Sequence, residues 1–157
     1  MVRLMRCMLA GALFLLTFPH IGSAHDLVEP SWRGEEGTTY QQWTFDDNNN
    51  PAGPEVINND YGTASAAITV GRFGSGWLDQ LSGLGSQSGY WDIGFDCGQI
   101  VLDIDNNPQM TLFKKVWIQV TYFEDLSQAP TVEVPGAAYT GGQTLMVEDG
   151  GDGAKWL

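Results

Sequence analysis

The side chains of this sequence best suited to chemistry are its carboxylates, its asparagines and its tryptophans. Asp103-Ile104-Asp105-Asn106-Asn107 sets side-chain oxygens at alternate positions, as the opening of a calcium loop does, and calcium takes about six to eight oxygen ligands. Asp103, Asp105 and Asn107 are therefore candidate metal ligands, and a structural calcium ion is the cofactor this stretch suggests. Asp46-Asp47-Asn48-Asn49-Asn50 is a second oxygen-rich run. The first run is not an EF-hand: Pro108 stands where that loop turns on glycine, and Lys114 where it closes on glutamate. Asp and Asn also make turns through their own backbone hydrogen bonds, so a plain turn is the competing role.

The tryptophans number six, at positions 32, 43, 77, 91, 117 and 156. Trp77 lies in a Gly/Ser-rich stretch and Tyr90-Trp91 follows another. An exposed ring can stack on the apolar face of a sugar while neighbouring amides and carboxylates bind its hydroxyls. Trp77, Tyr90 and Trp91 are thus candidate ligand-binding residues, with core packing as the alternative for each. Trp43 and Trp117 suit a core or a face between sheets.

Covalent catalysis lacks its parts. Two histidines are present, His20 and His25, and a serine or cysteine nucleophile needs a positioned base. There is no Gly-x-Ser-x-Gly, and Gly71-Arg72-Phe73-Gly74-Ser75-Gly76 is not followed by a helix carrying a basic residue. Zinc would have too few His and Cys ligands. Paired carboxylates of the glycosidase kind remain open, because 19 acids offer pairs whose separation a sequence does not reveal. The expectation is a protein that is not an enzyme.

Export explains the first residues. Arg3 and Arg6 precede an apolar run over residues 7–18, Pro19 ends it, and Ile21-Gly22-Ser23-Ala24 supplies small residues before a cut ahead of His25. This is the pattern of a secretory signal over residues 1–24. The run is shorter than the roughly 20 residues of a spanning helix, so no membrane span is expected once the signal is removed. The expected location is extracytoplasmic, secreted or at the cell surface of a bacterial-type exporter. Removing residues 1–24 takes away two arginines and no acid, moving the formal charge from −12 to −14. That excess argues against nucleic acid, which needs a basic footprint. It leaves His25 as a terminal residue and Cys97 without Cys7, so no disulfide can form within the mature chain; burial in a strand-rich core is the expectation for Cys97.

The elements that must position these residues read as strands. Residues 40–45, 64–70, 90–93 and 98–104 are strand-like, and Ile100, Leu102 and Ile104 share a face. The clearest alternation runs over residues 113–123, with Val116, Ile118, Val120 and Tyr122 on one face and Lys115, Trp117, Gln119 and Thr121 on the other. Residues 131–134 and 143–148 complete the set. Turn formers separate them, and residues 77–84 offer at most one helical turn. Many short strands without helices between them predict an all-β fold, an antiparallel two-sheet β-sandwich of jelly-roll type. A single sandwich domain is expected over residues 25–157. Ala154-Lys155-Trp156-Leu157 begins what reads as another strand, so the last strand or strands are expected to lie beyond Leu157.

Glu29-Pro30-Ser31-Trp32-Arg33-Gly34 and Thr38-Thr39-Tyr40-Gln41-Gln42-Trp43-Thr44-Phe45 resemble the start of a group of uncharacterised bacterial exoproteins. Pro51-Ala52-Gly53-Pro54-Glu55, Asn58-Asn59-Asp60-Tyr61-Gly62 and Trp117-Ile118-Gln119-Val120-Thr121-Tyr122-Phe123 continue the likeness. Those proteins resemble β-sandwich modules followed by a PEP-CTERM-type sorting anchor. The resemblance implies export and a sandwich, and it carries over no functional residue. The combined expectation is an exported, non-catalytic module whose partner is an extracellular polysaccharide or another cell-surface component. The alternatives are a structural surface or matrix protein without a ligand, and a glycan-active enzyme on a jelly-roll scaffold.

Overall fold

The computed structural model describes residues 28–79, 89–109, 111–124, 129–145, 148–149 and 155–156; the leader at 1–24 and His25 lie outside them. The described chain is all-β, without helices, and its strands are antiparallel. They are β1 Tyr40–Gln42, β2 Val56–Asn58, β3 Ala64–Thr69, β4 Gly76–Leu78, β5 Tyr90–Asp92, β6 Gln99–Ile104, β7 Phe123–Glu124, β8 Glu148–Asp149 and β9 Lys155–Trp156. Four small sheets result, pairing β1 with β2, β3 with β6, β4 with β5, and β9 with both β7 and β8. The all-β expectation holds. Among the described residues these ladders do not join into the two continuous sheets of a closed sandwich.

The longest ladder, β3 with β6, follows from alternation. Ala66 and Ile68 on β3 are buried while Ala67 and Thr69 between them are exposed, the period of two that a half-buried strand shows. Leu102 and Ile100 stand directly opposite Ala66 and Ile68. The other edge of β3 is taken by residues 50–52. Ala52 and Ala66 exchange both backbone hydrogen bonds at 2.8 Å. The Asn50 side chain behaves like a peptide unit, accepting from the Ile68 N–H at 2.9 Å and donating to the Ile68 carbonyl at 2.7 Å. The buried core is Ala52, Ala66 and Ile68, with Trp43, Phe45, Trp91 and Ile93 packed against it.

Residues 71–76 cross residues 93–98 at close range. The Gly71 N–H donates to the Ile93 carbonyl at 2.8 Å and the Phe95 N–H to the Arg72 carbonyl at 2.9 Å. A Cβ on Gly94, which has a φ of +69°, would collide with the Gly74 backbone nitrogen. The glycine-rich stretch is therefore a backbone crossing.

Four expectations are corrected here. Residues 113–123 are not the longest strand: only Phe123 of that run enters a ladder, paired to β9. Val116, Trp117, Ile118 and Val120 are exposed. Alternation describes the two faces of a strand; the ladder itself also needs a neighbour to take the N–H and C=O groups. Residues 131–134 likewise enter no ladder. Trp77 and Leu78, expected to begin a helical turn, lie in β4; residues 80–84 fall outside the described residues. Cys97 is exposed rather than buried, because it follows Asp96 in a turn where both residues have positive φ.

Candidate functional site

The three aromatic candidates come together on one hairpin. Trp77 stands directly opposite Trp91, and Leu78 opposite Tyr90, with all four half-buried. Their indoles face inward chemically. The Trp77 N–H donates to the Phe45 carbonyl at 2.7 Å, which Phe45 turns toward it with a φ of +54°. Trp91 packs against the core. Asp92, the carboxylate beside them, accepts from the Ser75 N–H at 2.9 Å and the Gly94 N–H at 3.0 Å. Burial, and secondarily the Asp92 carboxylate, push the Tyr90 phenol above its ordinary value of 10.0. These side chains hold β4, β5 and the backbone crossing together.

The oxygen-rich stretch is also engaged internally. Asp103 lies within β6, opposite Ser65. One carboxylate oxygen of Asp105 accepts from the Thr63 N–H at 2.8 Å and its hydroxyl at 3.3 Å, and the Asp105 carbonyl accepts from the Asn59 side chain at 2.7 Å. The side-chain oxygen of Asn107 accepts from the Gln109 N–H at 2.9 Å, and its carbonyl accepts from the Lys114 ammonium at 2.9 Å. Among the described residues no group of three His, Cys, Asp or Glu side chains could hold a metal ion. Asp105 and Asn107 thus each commit one side-chain oxygen to an N–H donor, and the Lys114 ammonium stands beside them.

What this stretch does build is a cleft. Asn59 makes an Asx turn, its side-chain oxygen accepting from the Tyr61 N–H at 2.9 Å. Asp105 then staples that turn to the loop after β6, its N–H donating to the Thr63 carbonyl at 2.9 Å. The staple brings the Asn107 amide to the Tyr61 hydroxyl, which accepts from it at 3.2 Å. A third segment closes the site. Residues 30–38 fold into tight turns, with the Glu35 carbonyl accepting from the Thr38 N–H at 3.1 Å and hydroxyl at 2.7 Å. Arg33 steadies their base by lying 3.6 Å from the Tyr40 ring centroid.

The result is an open polar cleft of about 360 Å³ lined by Glu36, Gly37, Tyr61, Asn107 and Gln109. Tyr61 and Asn107 are half-buried, while Glu36 and Gln109 are exposed. The lining offers an aromatic ring, a carboxylate and two amides, a set that binds hydroxyl groups as donor and acceptor at once. Of the metal candidates Asn107 alone lines it. Sequence reasoning missed Glu36, Gly37, Tyr61 and Gln109; the available signal was an aromatic residue inside an Asx turn, Asn59-Asp60-Tyr61-Gly62. Compared with known proteins, the chain matches no family model, no curated protein and no solved structure.

Proposed function

We propose that this protein is an exported, non-catalytic β-sandwich module, jelly-roll-like in plan, that binds a neutral extracellular glycan. The observation that carries this reading is the cleft between the turns at 30–38, 59–63 and 105–109, where Tyr61 stands beside Glu36, Asn107 and Gln109. A ring flanked by amides and a carboxylate matches a sugar, which presents an apolar C–H face and a rim of hydroxyls. The formal charge of −14 over residues 25–157 repels uronic-acid polymers and other polyanions, so the glycan is neutral. Export is supported by the leader pattern in residues 1–24, and a sandwich by the antiparallel pairing of short strands at turn-separated intervals. A PEP-CTERM-type sorting anchor belongs to the same proposal.

A glycan array followed by titration tests it. Binding to a neutral polysaccharide, weakened about tenfold by Tyr61→Ala through loss of stacking, is the expected result. Trp77→Ala should instead lower the melting temperature and leave the affinity of the folded fraction unchanged. Binding lost in Trp77→Ala at unchanged stability would move the site to the β4–β5 hairpin. Silence across all neutral glycans would leave the ligand-free structural role standing.

A further inference from the structure

Strand β6 is exposed along its whole length. All six of its residues are exposed, including Ile100, Val101, Leu102 and Ile104. One edge pairs with β3, and among the described residues the other edge enters no ladder. The same chain carries a strand-like segment without a ladder, residues 113–122, with Val116, Trp117, Ile118 and Val120 exposed. An apolar strand edge left open is a template for another strand.

Antiparallel pairing of the two has a register that matches charge, apolar and amide residues together. With Lys115 opposite Asp103, Val116 meets Leu102 and Ile118 meets Ile100 on one face, while Trp117 meets Val101 and Gln119 meets Gln99 on the other. Opposite charges, apolar pairs and an amide pair then each find their kind. A slip of two residues one way sets Phe113 against Asp103 and Lys115 against Val101. The slip the other way sets Trp117 against Asp103 and directs Lys115 to Asp105, whose carboxylate already serves Thr63. Charge makes the match more selective, since Lys114 and Lys115 are two of the seven basic residues against 19 acids.

Two side chains of the segment are engaged elsewhere in its own chain. The Gln119 side chain accepts from the Val28 N–H and donates to the Val28 carbonyl, both at 3.1 Å, and the Lys114 ammonium is fixed on the Asn107 carbonyl. We propose that residues 114–119 of a second copy add to the free edge of β6, in the register that sets Lys115 opposite Asp103. Each copy brings one edge and one strand, so a two-fold exchange fills both edges and closes. The dimer is independent of the glycan reading, because it uses neither Tyr61 nor Glu36.

Mass measurement in solution by light scattering is the first test, with wild type expected at twice the chain mass. Asp103→Lys and Lys115→Asp should each give monomers, since like charges then face each other at both junctions. Mixing the two variants restores opposite charges at both junctions and should restore the dimer, a rescue that misfolded chains would not give. A covalent test uses Val101→Cys with Trp117→Cys in a Cys97→Ser background, where oxidation should link two chains. A monomeric wild type across the accessible concentrations, a mixture that stays monomeric, or a disulfide closed within one chain would each overturn the proposal.

Discussion

Trp77, Tyr90 and Asp92 show how much of the hairpin depends on groups that look available for binding. The indole N–H of Trp77 is satisfied by Phe45, and both carboxylate oxygens of Asp92 hold turn amides. The Tyr90 phenol is pushed upward, by burial and then by Asp92. The sign of its effect on stability follows by linkage. A phenol with a folded pKa above its unfolded value of 10.0 contributes stability that is fully present below that pH. The contribution is lost as pH rises through the folded value. Melting curves taken from neutral to alkaline pH should therefore fall beyond 10.0, and Tyr90→Phe should flatten that fall. Equal alkaline loss in both proteins would assign it to other groups. At this scale the sequence exposed Asn107 but attached it to a metal. Tyr61 was hidden, since its partner lies 46 residues away and only the Asp105 staple brings them together.

The strands β3, β5 and β6 were legible because their alternation, aromatic content and flanking turns agree. The strands β2 and β4 were not: Val56–Asn58 carries no aromatic residue, and Trp77-Leu78 of β4 reads equally as the start of a helical turn. Residues 113–122 were over-read for the opposite reason: alternation was strong, but no ladder within the described chain takes their backbone. The crossing of residues 71–76 over 93–98 was visible only as glycine content. Its cost can be measured by comparing two substitutions. Gly34 has a φ of +79° and nothing within 4 Å of a built Cβ, so Gly34→Ala should cost about 1 kcal/mol for the left-handed backbone. Gly94→Ala adds a collision with the Gly74 backbone and should cost at least about 2–3 kcal/mol in urea unfolding. Equal costs at the two positions would mean that the crossing yields to a methyl group.

For the whole molecule, the small buried core and the acid excess set the terms. Among the described residues the buried apolar set is Ala52, Ala66 and Ile68, and much of that part of the fold is held by side chains that bind backbone across loops. Asp105 and Asn107 belong to that set of clamps, and their oxygens are engaged. Calcium should therefore bring no rise in melting temperature to chelator-treated protein beyond what matched ionic strength brings; a rise specific to calcium would show that the ion displaces those hydrogen bonds. The reliance on such clamps has a chemical side. Asparagine ages by deamidation, when the backbone nitrogen of the next residue attacks the side-chain amide. Asn50, which pairs with Ile68, and Asn107, which holds Tyr61, are each followed by proline. Proline has no N–H to lose, so the usual succinimide route is closed at these two amides. Asn59, whose side chain accepts from the Tyr61 N–H and donates to the Asp105 carbonyl, is followed by aspartate and has no such protection, so the first damage of age to the cleft should fall there.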